Sequence, residues 1–497
     1  MTLFRNIPAL SIMAMILAGV VSLLLDRKKA EKLCLGALAT VAVLSVLLFA
    51  FLWRTQESFA FSMGHYPAPW GNELYAGPFE ALMAITFTVV MILSLLAGRE
   101  RISADIAPSR HSLYYLLCCL LICSLLALIY TNDIFTAYIF VEINTLAACA
   151  IVAVKDSNET VIATIRYLIM SLIASGMILI AITLLYSITG HLLKQDLLSG
   201  MTRLAASGEY AFPCMVIMML FSVGLAIKSA LFPFHTWLPS AHGSATAASS
   251  AILSGTVLKG YIILLLKIYY RVFGLTFAHN LRAAELLFVF GLMGMIAGSV
   301  FAVRERNLKR MLAYSSVSQV GYIFMGIGLS TDVGVVAACF HMIAHAVTKP
   351  LLFLSADGLM DVSGHSKDIY ALQGSGRRNP LAGLAFSMGA LSMVGIPLFS
   401  GFVSKFYFVH ASFQNQDKML FSLMFMVLST VLTAMYYIPV LVTIYISSDA
   451  NSPYRMERSQ NTWNYSIAIV AFVVLNCVLG IFFEPVIGAL EQGLSML

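Results

Sequence analysis

The stretch His341-Met342-Ile343-Ala344-His345-Ala346-Val347-Thr348-Lys349-Pro350-Leu351-Leu352-Phe353-Leu354 decides how this chain is read. It is apolar enough to lie in lipid, yet it carries histidine at i and i+4 and lysine at i+8. Those positions share one side of a helix. An ionisable side chain at the centre of a bilayer costs about 2.5–3.5 kcal/mol on insertion scales, so three in a stripe require a purpose. A buried route for protons is the reading that uses all three. Histidine ordinarily titrates near neutrality and suits proton handoff. A zinc site is the weaker alternative, because no third ligand of suitable spacing accompanies His341 and His345.

The composition around this stretch is that of a polytopic membrane protein. Of 497 residues, 60% are hydrophobic and 11% charged, and the mean hydropathy is +0.88. Soluble domains are roughly 45–50% apolar and about 25% charged. About fourteen apolar segments account for most of the length, near 8–25, 34–53, 80–97, 113–130, 133–154, 163–188, 213–238, 245–272, 283–302, 310–329, 333–360, 380–411, 419–446 and 463–484. Each is long enough to span a bilayer. The expected fold is all-α, with no sizeable soluble domain. The N-terminal apolar stretch reads as a first span rather than a removed signal. The cysteines sit mostly inside apolar runs without CxxC spacing, so free buried thiols are expected.

Lysine and arginine alternate between loops. One side holds Arg27, Lys28, Lys29, Lys32, Arg99, Arg101, Arg110, Lys155, Arg166, Arg304, Arg306, Lys309, Arg310, Lys367, Arg377, Arg378, Arg455 and Arg458; the other holds far fewer, including Arg5, Arg54 and Lys418. The positive-inside rule places the first set in the cytoplasm and both termini on the other side. The net charge of +6 is thereby explained without a nucleic-acid partner. The outer stretch from Phe59 to Pro78, with Tyr66, Trp70 and Tyr75, reads as an interfacial cap.

Two spans contain prolines that would break them. The seventh reads Lys228-Ser229-Ala230-Leu231-Phe232-Pro233-Phe234-His235-Thr236-Trp237-Leu238-Pro239, and the twelfth Val394-Gly395-Ile396-Pro397-Leu398-Phe399-Ser400-Gly401-Phe402-Val403-Ser404-Lys405. Proline removes a helix hydrogen bond and clashes with the preceding turn. The breaks lie five spans apart, so the two helices run in opposite directions. Each has a lysine nearby. This spacing predicts two inverted five-helix repeats, residues 113–272 and 283–446, preceded by three helices in 1–112 and followed by a loop and last helix in 447–497. Interrupted helices at matching positions of two halves point to a transport site.

Glu142 lies in mid-span and needs a cation; Lys228 is its natural partner. The pair is either a structural lock or a device whose separation sets how readily the lysine holds its proton. Lys259 in the eighth span is either a relay lysine or a snorkelling one. Lys267, near the end of that span, is expected to snorkel. Lys405, after the second break, is placed to exchange protons with the far side.

With these motifs in order, the chain resembles the antiporter-like, proton-conducting membrane subunits of respiratory complex I, multisubunit Na+/H+ antiporters and membrane-bound hydrogenases. The resemblance rests on Ala226-Ile227-Lys228 leading to His235-Thr236-Trp237-Leu238-Pro239 and Ala241-His242, and on Leu253-Ser254-Gly255 ahead of Lys259. It extends through Leu308-Lys309-Arg310-Met311-Leu312-Ala313-Tyr314-Ser315-Ser316-Val317-Ser318-Gln319, the His/Lys stripe, and Gly395-Ile396-Pro397 to Gly401-Phe402. Ser240, Thr246 and Asn307 depart from the family's usual residues, while Gln319 and Ser404-Lys405 are closer to the D-type antiporter subunits. The resemblance implies fourteen helices, no bound redox cofactor, and a polar axis along the membrane plane. Glu142 and Lys228 would interact, Lys259 and His345 would carry protons, with His341 and Lys349 in the same stripe, and Lys405 would exchange with the far side. His345 ranks ahead of Lys349 as carrier. The resemblance also implies other membrane subunits as partners, including further antiporter-like ones, a multi-pass location in a prokaryotic plasma membrane, and Na+ as the exchanged ion. The alternative is a hydrogenase or quinone-reductase complex in which redox chemistry on other subunits drives the pump; this chain has no redox or hydrolytic motif of its own.

Overall fold

A computed structural model describes residues 2–66, 71–155, 157–207, 210–274, 282–446 and 461–496. Trp70, Arg455 and Arg458 lie outside the described residues. The chain is helical almost throughout. Its helices are α1 Thr2–Ser22, α2 Arg27–Thr55, α3 Pro78–Ala97, α4 Arg99–Asp105, α5 His111–Tyr130, α6 Ile134–Ala153, α7 Asn158–Thr189, α8 Lys194–Ser207, α9 Ala211–Lys228 and α10 Trp237–Ser244. They continue with α11 Ala247–Phe273, α12 Ala283–Arg304, α13 Leu308–Gly328, α14 Asp332–Asp361, α15 Pro380–Val394, α16 Ser400–Phe413, α17 Gln416–Tyr445, α18 Trp463–Ile481 and α19 Glu484–Ser495. A two-stranded antiparallel hairpin, β1 Phe59–Ser62 and β2 Glu73–Ala76, forms part of the expected cap.

Among the described residues, 12 helices are long and apolar enough to cross a membrane. The two remaining expected positions are filled by helices that miss this description for clear reasons. Helix α13 carries Lys309, Arg310, three buried serines and Gln319. Helices α15 and α16, of 15 and 14 residues, are the halves of one interrupted span. Fourteen crossings result.

Both predicted breaks are present. Helix α9 stops at Lys228 and α10 begins at Trp237. Helix α15 stops at Val394, where Gly395 takes φ 95°, and α16 starts at Ser400. A side chain at Gly395 would be strained in that conformation and would also meet Lys405 Cδ at 2.9 Å. Pro350, by contrast, does not interrupt α14. Helix starts are capped by short polar residues at the ends of loops. The Asp133 carboxylate accepts from Thr136 N at 2.6 Å. The side chains of Thr331 and Asn307 act alike for α14 and α13.

The apolar middles of α11 and α14 are wholly buried, while α18 and α2 face mostly outward. The two buried helices pack side by side at the middle of the molecule, with Gly255 of α11 against Pro350 of α14. Helix α11 widens into π-type turns at Leu253–Val257 and Tyr269–Phe273. Such turns leave backbone groups free of the regular ladder and recur at functional sites. Helices α12 and α13 approach backbone to backbone, because a Cβ on Gly321 would lie 2.6 Å from Met295 N. The cysteines are free, and all but Cys477 are buried.

Candidate functional site: a buried polar chain

Most of the expected ionisable side chains gather in two groups. In the first, Lys228 at the end of α9 is only 1% exposed and lies 3.6 Å from Glu142 on α6. Its Nζ donates to Thr145 Oγ1 at 2.7 Å. Thr145 lies 3.3 Å from the Tyr261 hydroxyl, which donates to Asn144 Oδ1 at 2.9 Å. Asn144 Nδ2 in turn donates to Ser124 Oγ at 2.8 Å. The Ser175 hydroxyl donates to Glu142. The Glu142 side chain remains 27% exposed, on a face with the exposed apolar residues Phe135, Ile139 and Leu146. A carboxylate at membrane depth with that exposure calls for a neighbour other than lipid.

The second group runs from α11 across α14 to α16. Lys259 Nζ lies 2.6 Å from His345 Nδ1 and also donates to the Ser254 carbonyl within the π-type turn. The His345 and His341 rings follow one another with centroids 6.2 Å apart. His341 Nδ1 lies 2.9 Å from Ser404 Oγ. Lys405, the next residue, donates to Val394 O at 2.8 Å and Thr430 Oγ1 at 3.0 Å. It also stands over the Tyr322 ring, 5.5 Å from its centroid. The interrupted span is what makes this possible: the end of α15 exposes the Val394 carbonyl that holds Lys405. Among the described residues, Nε2 of both His341 and His345 finds no partner.

Six of the seven expected residues therefore fall into these two groups. Lys349 is the exception. It is buried, but its Nζ donates to Leu312 O at 3.0 Å and Tyr437 OH at 3.4 Å, away from the Lys259–His345–His341 line. Lys259 is fully buried, which removes the snorkelling alternative. The expectation that Lys267 snorkels is overturned: its side chain is 0% exposed and pairs with Glu80 of α3 at 2.9 Å. Position near a helix end suggested snorkelling, but the outer end of α11 is covered by other parts of the chain.

The sequence reading missed several partners. Thr145, Asn144, Ser175, Tyr261 and Ser404 are uncharged residues common in apolar helices, and nothing in their local spacing sets them apart. His242 is different. It is fully buried against Phe353, with ring centroids 4.8 Å apart, and neither ring nitrogen has a partner among the described residues. Its signal was present, since the sequence places a histidine directly after the broken span. Nearby, Lys309 donates to Ala245 O at 2.5 Å. On the same face Arg101 binds Asp357 at 3.2 Å and Asp361 at 2.6 Å, tying α4 to the end of α14.

Comparison with known proteins extends beyond this geometry. The family described as "NADH:quinone oxidoreductase/Mrp antiporter, TM" matches residues 131–433. The chain is 32% identical over 427 residues to the N-type subunit of the NADH-quinone oxidoreductase of Desulforudis audaxviator, covering 85% of this chain and 82% of that one. It is 26% identical over 489 residues to the D-type subunit of the Na(+)/H(+) antiporter of Alkalihalophilus pseudofirmus, covering 97% and 95%. Its fold matches a chain in the structure of the Mrp complex from a Dietzia species with a TM-score of 0.88 at 22% identity, covering 100% of this chain and 97% of that one.

Proposed function

This chain belongs to the NADH:quinone oxidoreductase/Mrp antiporter transmembrane family, and we propose that it moves protons within a multisubunit complex of a prokaryotic plasma membrane. In this reading the Lys259–His345 contact at 2.6 Å, held between the buried middles of two helices, carries the proposal. Lys259, His345 and His341 pass protons, Ser404 bridges to Lys405, and Lys405 exchanges them with one aqueous side. The Glu142–Lys228 pair acts at the other end as a charge switch. Residues 113–272 and 283–446 are the two inverted repeats, each contributing one interrupted helix; the Glu142–Lys228 group lies within the first, and the second group joins Lys259 of the first to His345, His341 and Lys405 of the second. Lys349 supports the fold of the second repeat by holding the Leu312 carbonyl.

The exposed edge of Glu142 supports a neighbouring membrane subunit at α6, where that neighbour's charge would bias the pair. The name of the Alkalihalophilus relative supports exchange against Na+. The name of the Desulforudis relative supports a second reading, in which redox chemistry on partner subunits drives the same movement. Iron–sulfur subunits copurifying with the chain would select the second reading. Under either, Lys228→Ala in the complex reconstituted into vesicles abolishes coupled proton movement while the complex still assembles. An assembled Lys228→Ala complex with full transport refutes the relay.

A further inference from the structure

A third buried charge cluster lies apart from both groups, on the side opposite the lysine- and arginine-rich loops. Lys267 pairs with Glu80 and donates to the Ile129 carbonyl. Glu80 also accepts from Gly77 N at 3.1 Å. Lys194, at the start of α8, is fully buried and donates to Thr131 O at 2.7 Å. Arg271 lies over the Tyr75 ring at 3.6 Å, and the Tyr75 hydroxyl donates to Met496 O at 2.6 Å. Asn132, between these elements, donates to Glu73 at 2.6 Å.

Burial falls off in one direction across this cluster. Lys267, Glu80 and Lys194 are enclosed, while Glu73 and Asp133 are partly open. Beside this cluster the surface opens into a cleft of about 250 Å³ lined by Asp133, His191, Leu193 and Asp196; Lys194 lies behind this wall and does not line it. Lys267 shares helix α11 with Lys259, eight residues away, a rise of about 12 Å. A structural latch needs neither an enclosed lysine with a single carbonyl acceptor for its Nζ nor an acidic cleft beside it. Lys194 is faced by Lys267 and Arg271 from α11, Glu80 from α3 and Asp133 from the loop before α6; burial first, then the two cations, hold its ammonium well below the usual lysine range.

We propose that Glu80, Lys267 and Lys194 form a proton port between helix α11 and the cleft at Asp133 and Asp196. The inference rests on the relay reading above and adds an opening to it. A proton moves from the Glu80–Lys267 pair to the amine form of Lys194, and the resulting ammonium then passes it by way of the Asp133 carboxylate to water in the cleft. The pair is refilled by one proton from the Lys259 side. Transfer in the reverse order takes up a proton from the same water.

Lysine-to-arginine exchange separates a port from a latch, because arginine keeps the charge and hydrogen bonds but does not release its proton. In the reconstituted complex, Lys194→Arg is expected to assemble, to slow proton movement at least about tenfold, and to flatten the dependence of the rate on pH at the cleft side. As a test that leaves the buried cluster intact, His191→Cys places a thiol at the exposed rim. A bulky charged thiol reagent added from the cleft side is expected to slow transport by a similar factor. Lys194→Arg with an unaltered rate and pH profile overturns the port, as does unaltered transport after labelling His191→Cys. If Lys228→Ala also transports fully, the relay itself fails; if Lys228→Ala is inactive and these variants are normal, only the port fails.

Discussion

Replacing His345 tests the polar chain at its narrowest point. His345 Nδ1 lies 2.6 Å from Lys259 Nζ, and its ring is followed by His341 at a centroid separation of 6.2 Å. Proton transfer requires heavy atoms within about 2.6–3.2 Å, or one intervening water. Among the described residues, His345 is the one side chain hydrogen-bonded to Lys259, and the step from His345 to His341, which share no hydrogen bond, needs one intervening water. His345→Gln keeps an acceptor for the Lys259 ammonium but cannot take up and pass on a proton. Loss of a positioned acid–base group costs about 10²–10⁴ in rate, so transport should fall at least about 100-fold, or about 2.7 kcal/mol in the barrier. His345→Phe does the same and also strips Lys259 of a partner, which costs a further ~1–3 kcal/mol in stability. The assay is proton movement into vesicles containing the purified complex, followed with a pH-sensitive dye, alongside thermal unfolding in detergent. The expected pattern is loss of transport in both variants and a lowered unfolding temperature in His345→Phe alone. A His345→Gln complex that transports at the unaltered rate would sink the role assigned to this residue.

Lys349→Met should slow transport far less than His345→Gln in the same vesicles, because the Lys349 ammonium is turned toward Leu312 O and Tyr437 OH; equal losses would place it on the route after all. Gly321→Leu should destabilise the protein by ~1–3 kcal/mol or more, since its Cβ would fall 2.6 Å from Met295 N and 2.7 Å from Gly291 O. Thermal unfolding in detergent reads this directly, and an unchanged transition would contradict the close approach of α12 and α13.

The sites were partly legible because isolated charges in apolar spans stand out against lipid-like surroundings. Glu142, Lys228, Lys259 and Lys405 each attract notice for that reason alone, and the spacing of His341 and His345 announces a shared face. Lys267 shows where such reading stops. Its partner Glu80 is remote in sequence and on another helix, so no local pattern distinguishes a buried ion pair from a snorkelling side chain. The hydroxyl and amide groups of Thr145, Asn144, Tyr261 and Ser404 carry no charge and occur throughout membrane helices. Their part in the polar groups depends on which helix faces which.

The sequence by itself determined the number of crossings, the two interruptions and the register of the ionisable residues on their helices. Hydropathy, proline chemistry and the 3.6-residue period are local properties, each read within a few turns of chain. Only the tertiary structure decided which helices are enclosed, which carboxylate meets which lysine, and that Lys349 turns away from the histidine line. A hydrogen bond between residues on separate helices is set by packing at the scale of an ångström, and one polar residue in lipid is chemically as good a partner as another until the helices are in place.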